Sequence, residues 1–589
     1  MNLPQFLKQI DSIITDMKKK DMAGFVHEIA RTLPENRRDS FLKTLKEMSL
    51  GEDRKQRSDT DSAKELSLKV NEIIEILTDI NDGDRCLESE YNEEWDDWYN
   101  PDVPEILFSD PEQLLDEIRY GIHLLHRCMD EEEYDSGRQL AELLSVLEVP
   151  VTGDYEGYYG SASIDVDDLY ENSLLDGRIE ELLKEALFVT YMGNASSDRP
   201  DEIYCMMGNF RCYDIRLEEV MQLGNHDLPE FHEFLPLWID YLGKQKGRDA
   251  DRLLSEAQGM ITDEGQLLEN ARKYVDQHPE LYKQILEDGM EKEDNERLYR
   301  IGLEAMEKIP ENKLIRSEIA LLTSEYACKA NQRSVVEYCW LEAFRSDTSV
   351  MNYMRLRFRV EKWNNYKKTV REIYTAARKS TQNSDKPARY DYEALQSDNK
   401  LYETPYYFIL FFEGNIKTVI RDGMSMEKPL GWSSTFMKEG LSLLLLLLYE
   451  GTGELSKGLQ VMLSRVVSAS KFDVVSFCIG EYRNRDMGKT ELFWSLFSEW
   501  KDSWRLSKED AEEWLRFSEQ LIAKRTAGIM EANRRNYYGE CAAFIAALGE
   551  VNESRGLNRA KSLIMEQYKK EYSRRRAFHQ ELRYYGMKS

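Results

Sequence analysis

His123 and His126 stand three residues apart, and Cys128 follows two positions later. Imidazoles at i and i+3 lie on one side of a helix, where such a pair can share a metal ion in a carboxylate-rich bundle. Leu124, Leu125 and Met129 surround them, and the seven histidines of the chain form no second cluster to complete a ligand set. The spacing predicts a mixed helix with histidines at its boundary and no cofactor. A metal-dependent enzyme built on this pair ranks last among the functional readings. Met487-Gly488-Lys489-Thr490 shares the ending of a phosphate-binding loop, but the position five before Gly488 is Arg483 and no strand precedes it. Asp79, Asn81 and Glu90 match three positions of an EF-hand loop, yet the glycine position of that loop is Asp84. No Gly-x-Ser-x-Gly elbow and no local cysteine signature mark a nucleophile, so no catalytic residue is assigned and a non-enzyme is expected.

Two kinds of surface remain. Asp82–Asp102 holds nine carboxylates against Arg85 alone, with Tyr91, Trp95, Trp98 and Tyr99 between them. Val151–Asp168 repeats the theme with Tyr155, Tyr158 and Tyr159. Tyr and Trp are enriched at binding hot spots, and clustered carboxylates steer a basic partner, so these seven aromatics are the candidate partner-binding residues. The competing reading is that they pin long loops onto the fold. Glu553–Ser589 runs the other way, with ten Lys or Arg against four Glu. Its Lys569, Lys570, Arg574, Arg575 and Arg576 form a candidate basic patch, which either contacts nucleic acid or complements acidic surface and a helix C-terminus.

The elements that must position these residues are helical. The 589-residue chain has only 32 Gly and 14 Pro, and 32% of its residues are charged. Its net charge of −30 argues against nucleic acid as a partner of the body, because phosphate binding needs a basic footprint. Phe6, Ile10, Ile13, Ile14 and Met17 make one helical stripe within an N-terminal unit over 1–50. Gly51–Ser62 has no apolar side chain, which predicts a flexible linker over 51–63. A first helical-repeat array is expected over 64–380, with acidic loops at 82–104 and 151–168. A connecting loop follows over 381–400, then a C-terminal array with a basic cap over 401–589. Leu303-Glu304-Ala305 returns 38 residues later as Leu341-Glu342-Ala343, near the period of two-helix repeats. The fold class expected is all-α, an α-solenoid of irregular TPR/HEAT-like helix pairs.

Eight cysteines without a C-x-x-C pair give neither a disulfide framework nor a zinc ribbon. Leu441–Tyr449 is the most apolar run, well short of the roughly 20 residues of a membrane span, and predicts a buried core helix. Met1–Lys20 lacks a signal peptide's apolar core, so a cytoplasmic protein without a membrane partner is expected.

Several short pieces carry a family likeness: Ala271-Arg272-Lys273-Tyr274, His278-Pro279-Glu280-Leu281-Tyr282, Ile309-Pro310, Arg316-Ser317-Glu318-Ile319-Ala320 and Glu342-Ala343-Phe344-Arg345-Ser346. Together with Tyr537, Ala542-Ala543, Tyr568, Tyr572 and the Arg574–Leu582 stretch, they resemble the TPR-like helical-repeat region of bacterial SWIM zinc-finger-associated proteins of unknown function. The C-x-C of a SWIM finger is missing, so a DNA-binding role tied to that finger does not carry over. The resemblance implies a TPR-like helical array. The function expected is a protein- or peptide-binding scaffold that takes an unidentified basic segment in a concave acidic groove. Nucleic-acid association through the basic C-terminal helix is the alternative.

Overall fold

The computed structural model describes residues 55–91, 106–223, 228–289, 294–383, 398–424, 436–504 and 506–587, most of them helical. The unit expected over 1–50 lies outside these residues, as do Trp95, Trp98, Tyr99 and the side chain of Tyr158. The chain divides into two compact units, Met1–His278 and Pro279–Ser589.

The first unit runs α1 (Lys55–Asn81), β1 (Leu87–Tyr91), β2 (Ile106–Ser109), α2 (Leu114–Asp130), α3 (Tyr134–Ser145), β3 (Glu148–Gly153), α4 (Asp154–Tyr159), β4 (Ser163–Asp165), α5 (Val166–Glu171) and α6 (Ile179–Gly193). It closes with α7 (Arg199–Asn209), α8 (Leu217–Val220), α9 (Phe231–Leu242), α10 (Arg248–Gly259) and α11 (Glu264–Tyr274). Leu66, Val70, Ile73, Leu77 and Ile80 of α1 are buried on one stripe. The helix also takes in 55–63, read above as linker. Those residues include neither Gly nor Pro, and extending an existing helix costs far less than nucleating one.

The described parts of the acidic segments are not loops. Where they are described, the first supplies β1 and the second the end of β3 and all of β4; with β2, just beyond the first, these strands form one sheet in the order β2-β1-β3-β4. β1 pairs antiparallel with β2 and parallel with β3, and β3 pairs antiparallel with β4. The crossover from β1 to β3 passes through α2 and α3, as a parallel pair requires. Apolar residues alternate with polar ones along these strands: Leu87, Val149, Val151 and Ile164 are buried, while Glu88, Glu90, Glu148 and Thr152 are exposed. Period-two burial of one face is what makes these segments strands.

The second unit contains α12 (Glu280–Asp288), α13 (Asn295–Lys308), α14 (Leu314–Lys329), α15 (Arg333–Ser346), α16 (Val350–Arg359), α17 (Trp363–Asn383), α18 (Glu403–Phe412) and α19 (Ile416–Thr418). There follow α20 (Met437–Leu448), α21 (Lys457–Ala469), α22 (Val474–Phe477), α23 (Lys489–Ser503), α24 (Lys508–Glu531), α25 (Tyr538–Ser554), α26 (Ala560–Glu571) and α27 (Arg576–Tyr584). α20 carries the leucine run and is buried from Leu443 to Leu448, as an all-round apolar helix must be. Among the described residues no helix is long and apolar enough to cross a membrane.

Most of the connecting loop expected over 381–400, residues 384–397, lies outside the described residues. α17 continues to Asn383, and the residues after 397 are stitched back onto the same unit. Asn399 Oδ1 accepts from the Thr348 N–H at 3.1 Å, its Nδ2 donates to the Arg345 carbonyl at 3.0 Å, and Lys313 pairs with Asp398 at 2.7 Å. A buried ion pair ties α14 to α15, where Arg316 Nη2 meets Glu342 Oε2 at 2.5 Å. Arg316 also donates to the Met306 carbonyl and to Ser346 Oγ, so its desolvated guanidinium is fully engaged.

Candidate partner-binding surface

The two acidic-aromatic segments, some 60 residues apart in sequence, meet in the sheet of the first unit. Leu87 is in register with Val151 and Ser89 with Gly153. The Tyr91 N–H donates to Asp154 Oδ2 at 2.9 Å, and Ser89 Oγ donates to the Thr152 carbonyl at 2.7 Å. Gly153 has φ +99°, and a side chain there would run into the Ser89 carbonyl, so glycine is what permits this junction. The register places Glu88, Glu90, Leu107, Glu148 and Asp165 on one outward face. Glu88 and Glu90 are exposed and have no ion-pair partner among the described residues, while Asp165 meets Arg211 at 3.1 Å. Burial, then repulsion from neighbouring carboxylates, pushes the Asp167 and Asp168 carboxyls up.

The aromatic residues divide between two roles. Tyr155 is buried, with its ring 5.6 Å from Phe108 and 4.8 Å from Tyr159. It holds α4 against β2, which is the packing role. Tyr91 and Tyr159 remain exposed, at 39% and 54%, and Leu107 is 44% exposed. Leu107 stands beside Glu88 and Glu90, whereas Tyr91 and Tyr159 lie on the other face of the sheet, where α4 packs.

A cleft of about 320 Å³ lies elsewhere in the same unit, lined by α2, α6 and the α5–α6 segment. His123 and His126 face it with Arg119, Tyr170, Asp176 and Glu185. His126 Nδ1 is 2.8 Å from Glu185 Oε1, and its Nε2 is 3.6 Å from Asp130 Oδ2. Cys128 points the other way, into the core, where burial and then Glu133 push its thiol up to about 12. The helix predicted for these residues is there, but its histidines and cysteine sit on opposite faces. Among the described residues no three His, Cys, Asp or Glu side chains converge to hold a metal ion.

Six other thiols are also held neutral by burial. Burial raises Cys541 to about 12 and lifts Cys205, Cys212, Cys328, Cys339 and Cys478. A neutral thiol is a poor nucleophile. Gly488 is extended just ahead of α23, whose first residues are Lys489 and Thr490, and a turn over 483–486 rather than a strand precedes them. Asp79 and Asn81 end α1 while Glu90 lies in β1, which separates the EF-hand-like positions.

The basic tail is helical, in α26 and α27. Arg575 Nη1 donates to Asn533 Oδ1 at 2.6 Å and its Nη2 donates to the Met530 carbonyl at 2.8 Å, closing the C-terminus of α24. Lys570, Arg574 and Arg576 are exposed, and Lys569 is half-buried. Glu148 was missed in the sequence because it lies just outside the dense carboxylate run. Its signal is the alternation Glu148-Val149-Pro150-Val151-Thr152.

No family model, no curated protein and no solved structure matches this chain.

Proposed function

We propose that the protein is a non-enzymatic, protein- or peptide-binding helical-repeat scaffold that receives a basic segment of its partner. The observation that carries this reading is the joining of two acidic-aromatic segments into one sheet, with unpaired Glu88 and Glu90 beside exposed Leu107 on one face and exposed Tyr91 and Tyr159 on the other. Carboxylates without counter-ions raise the local concentration of a cationic segment, and rigid aromatic rings give contact area at small entropic cost.

On this reading the consecutive helices α12 to α15 of the second unit are irregular TPR- or HEAT-like pairs, and the acidic sheet of the first unit is a recognition surface of its own. Kinship with the helical-repeat region of SWIM-associated proteins and a cytoplasmic location belong to the same proposal. Paired affinity capture at modest salt tests it, with the wild type and a Glu88→Lys, Glu90→Lys, Glu148→Lys variant as baits. A discrete protein held by the wild type and lost from the variant is expected. Equal recovery on both baits, or no specific protein on either, overturns the reading.

A further inference from the structure

In a chain with a surplus of 30 carboxylates, most cations have a partner: Lys561 reaches Glu550 at 2.7 Å, Arg555 reaches Glu450 at 2.5 Å, and Lys438 reaches Glu540 at 3.2 Å. One corner of the second unit departs from this. Arg534, Arg535, Lys570, Arg574 and Arg576 are all exposed, and among the described residues none of their side chains has a hydrogen bond or ion pair. Arg534 and Arg535 follow α24, some 40 residues before Arg574 and Arg576. The Arg575 clamp on Asn533 and Met530 draws the two arginine pairs onto one surface.

That juxtaposition is fixed rather than loose. The Phe578 ring packs 5.7 Å from Tyr538 and 6.1 Å from Tyr572, and His579 Nε2 lies 3.0 Å from the Tyr572 carbonyl. The carboxylates nearest in sequence are Glu531, Glu571 and Glu581, and Glu571 is engaged by the Tyr572 side chain. With those three carboxylates counted as charged, Arg534, Arg535, Lys570, Arg574, Arg575 and Arg576 still leave a local positive excess within an acidic protein. The ring of Tyr537 lies beside it, 44% exposed.

We propose that this corner binds the phosphodiester backbone of single-stranded nucleic acid, independently of the acidic sheet. Free guanidinium forks match phosphate oxygens bidentately, and an exposed ring among cations offers a base a stacking platform. The clamping Arg575 positions the surface, and the four unpaired arginines with Lys570 contact phosphate.

The probe is a fluorescein-labelled 20-residue oligothymidylate, titrated by anisotropy with the full chain. Binding at 50 mM salt is expected, with a log–log salt slope of about −3.5 for five cations each releasing counter-ions from a single strand. Arg534→Glu with Arg535→Glu, and separately Arg574→Glu with Arg576→Glu, should each weaken binding at least tenfold. Lys367→Glu with Lys368→Glu, the same charge change on exposed α17, should leave it within twofold. Glutamine at the four arginines should give the same ranking, with circular dichroism confirming helix content. No binding at tens of micromolar protein, or equal weakening by the α17 variant, overturns the proposal. So does displacement by millimolar inorganic phosphate at constant ionic strength, which marks a small-anion site. Arginine-dependent capture on phosphatidylserine vesicles without oligonucleotide binding overturns it as well.

Discussion

Glu256 on α10 shows how one side chain couples stability to pH. Burial raises its carboxyl to about 7, against which the backbone N–H groups of Leu217 and Glu218 pull only weakly. A carboxyl that holds its proton more tightly when folded contributes stability fully below its unfolded value near 4.5, and loses that contribution as pH rises through 7. Glu256→Gln keeps the shape and removes the titration. Urea unfolding should show the variant gaining on the wild type between pH 5 and pH 8, by at most about 3 kcal/mol. A constant difference across that range would mean that the group titrates alike in both states. The Arg316–Glu342 pair makes a second residue-scale prediction. Arg316→Met removes one desolvated charge and leaves Glu342 with Arg345, 3.2 Å away, so a loss of about 3 kcal/mol is expected in the same measurement. Changing both partners to apolar residues should recover much of that loss.

Elements meet closely where glycine lets them. A Cβ on Gly302 of α13 would collide with Oγ1 of buried Thr323 on α14, so these helices touch nearly backbone to side chain. Gly302→Ala should cost about 1–3 kcal/mol through overpacking, read as a lower thermal midpoint. Helix propensity alone would favour alanine, so an unchanged or higher midpoint would contradict the packing described. The helices themselves were legible in the sequence: the stripes at Leu66–Leu77, the leucine run of α20 and the stop before Pro310 all have physical causes that act locally. The sheet was not. Nine carboxylates in Asp82–Asp102 masked the alternation Leu87-Glu88-Ser89-Glu90-Tyr91, and pairing with Val149–Thr152 is a contact across some 60 residues that no local pattern announces. The same holds for the candidate site. Tyr91 and Tyr159 could be named from residue type, but the burial of Tyr155 and the single outward face of Glu88, Glu90 and Glu148 follow from register alone.

At the scale of the whole chain, the charge of −30 is organised rather than uniform. Unpaired carboxylates gather on the sheet of the first unit, and unpaired cations gather at the end of α24 and the start of α27 in the second. Surface charges left without partners add little to stability and much to the steering of other molecules. The −30 therefore describes a protein with two opposite contact surfaces, of which the acidic one is central to the proposed function. The most direct measurement is the affinity of the full chain for a fluorescein-labelled 12-residue peptide of alternating Lys and Val, followed by anisotropy at 50 mM salt. The wild type should bind it in the micromolar range, the Glu88→Lys, Glu90→Lys, Glu148→Lys variant at least tenfold more weakly, and an alternating Glu and Val peptide should bind neither. Equal affinity of wild type and variant for the basic peptide would contradict the account.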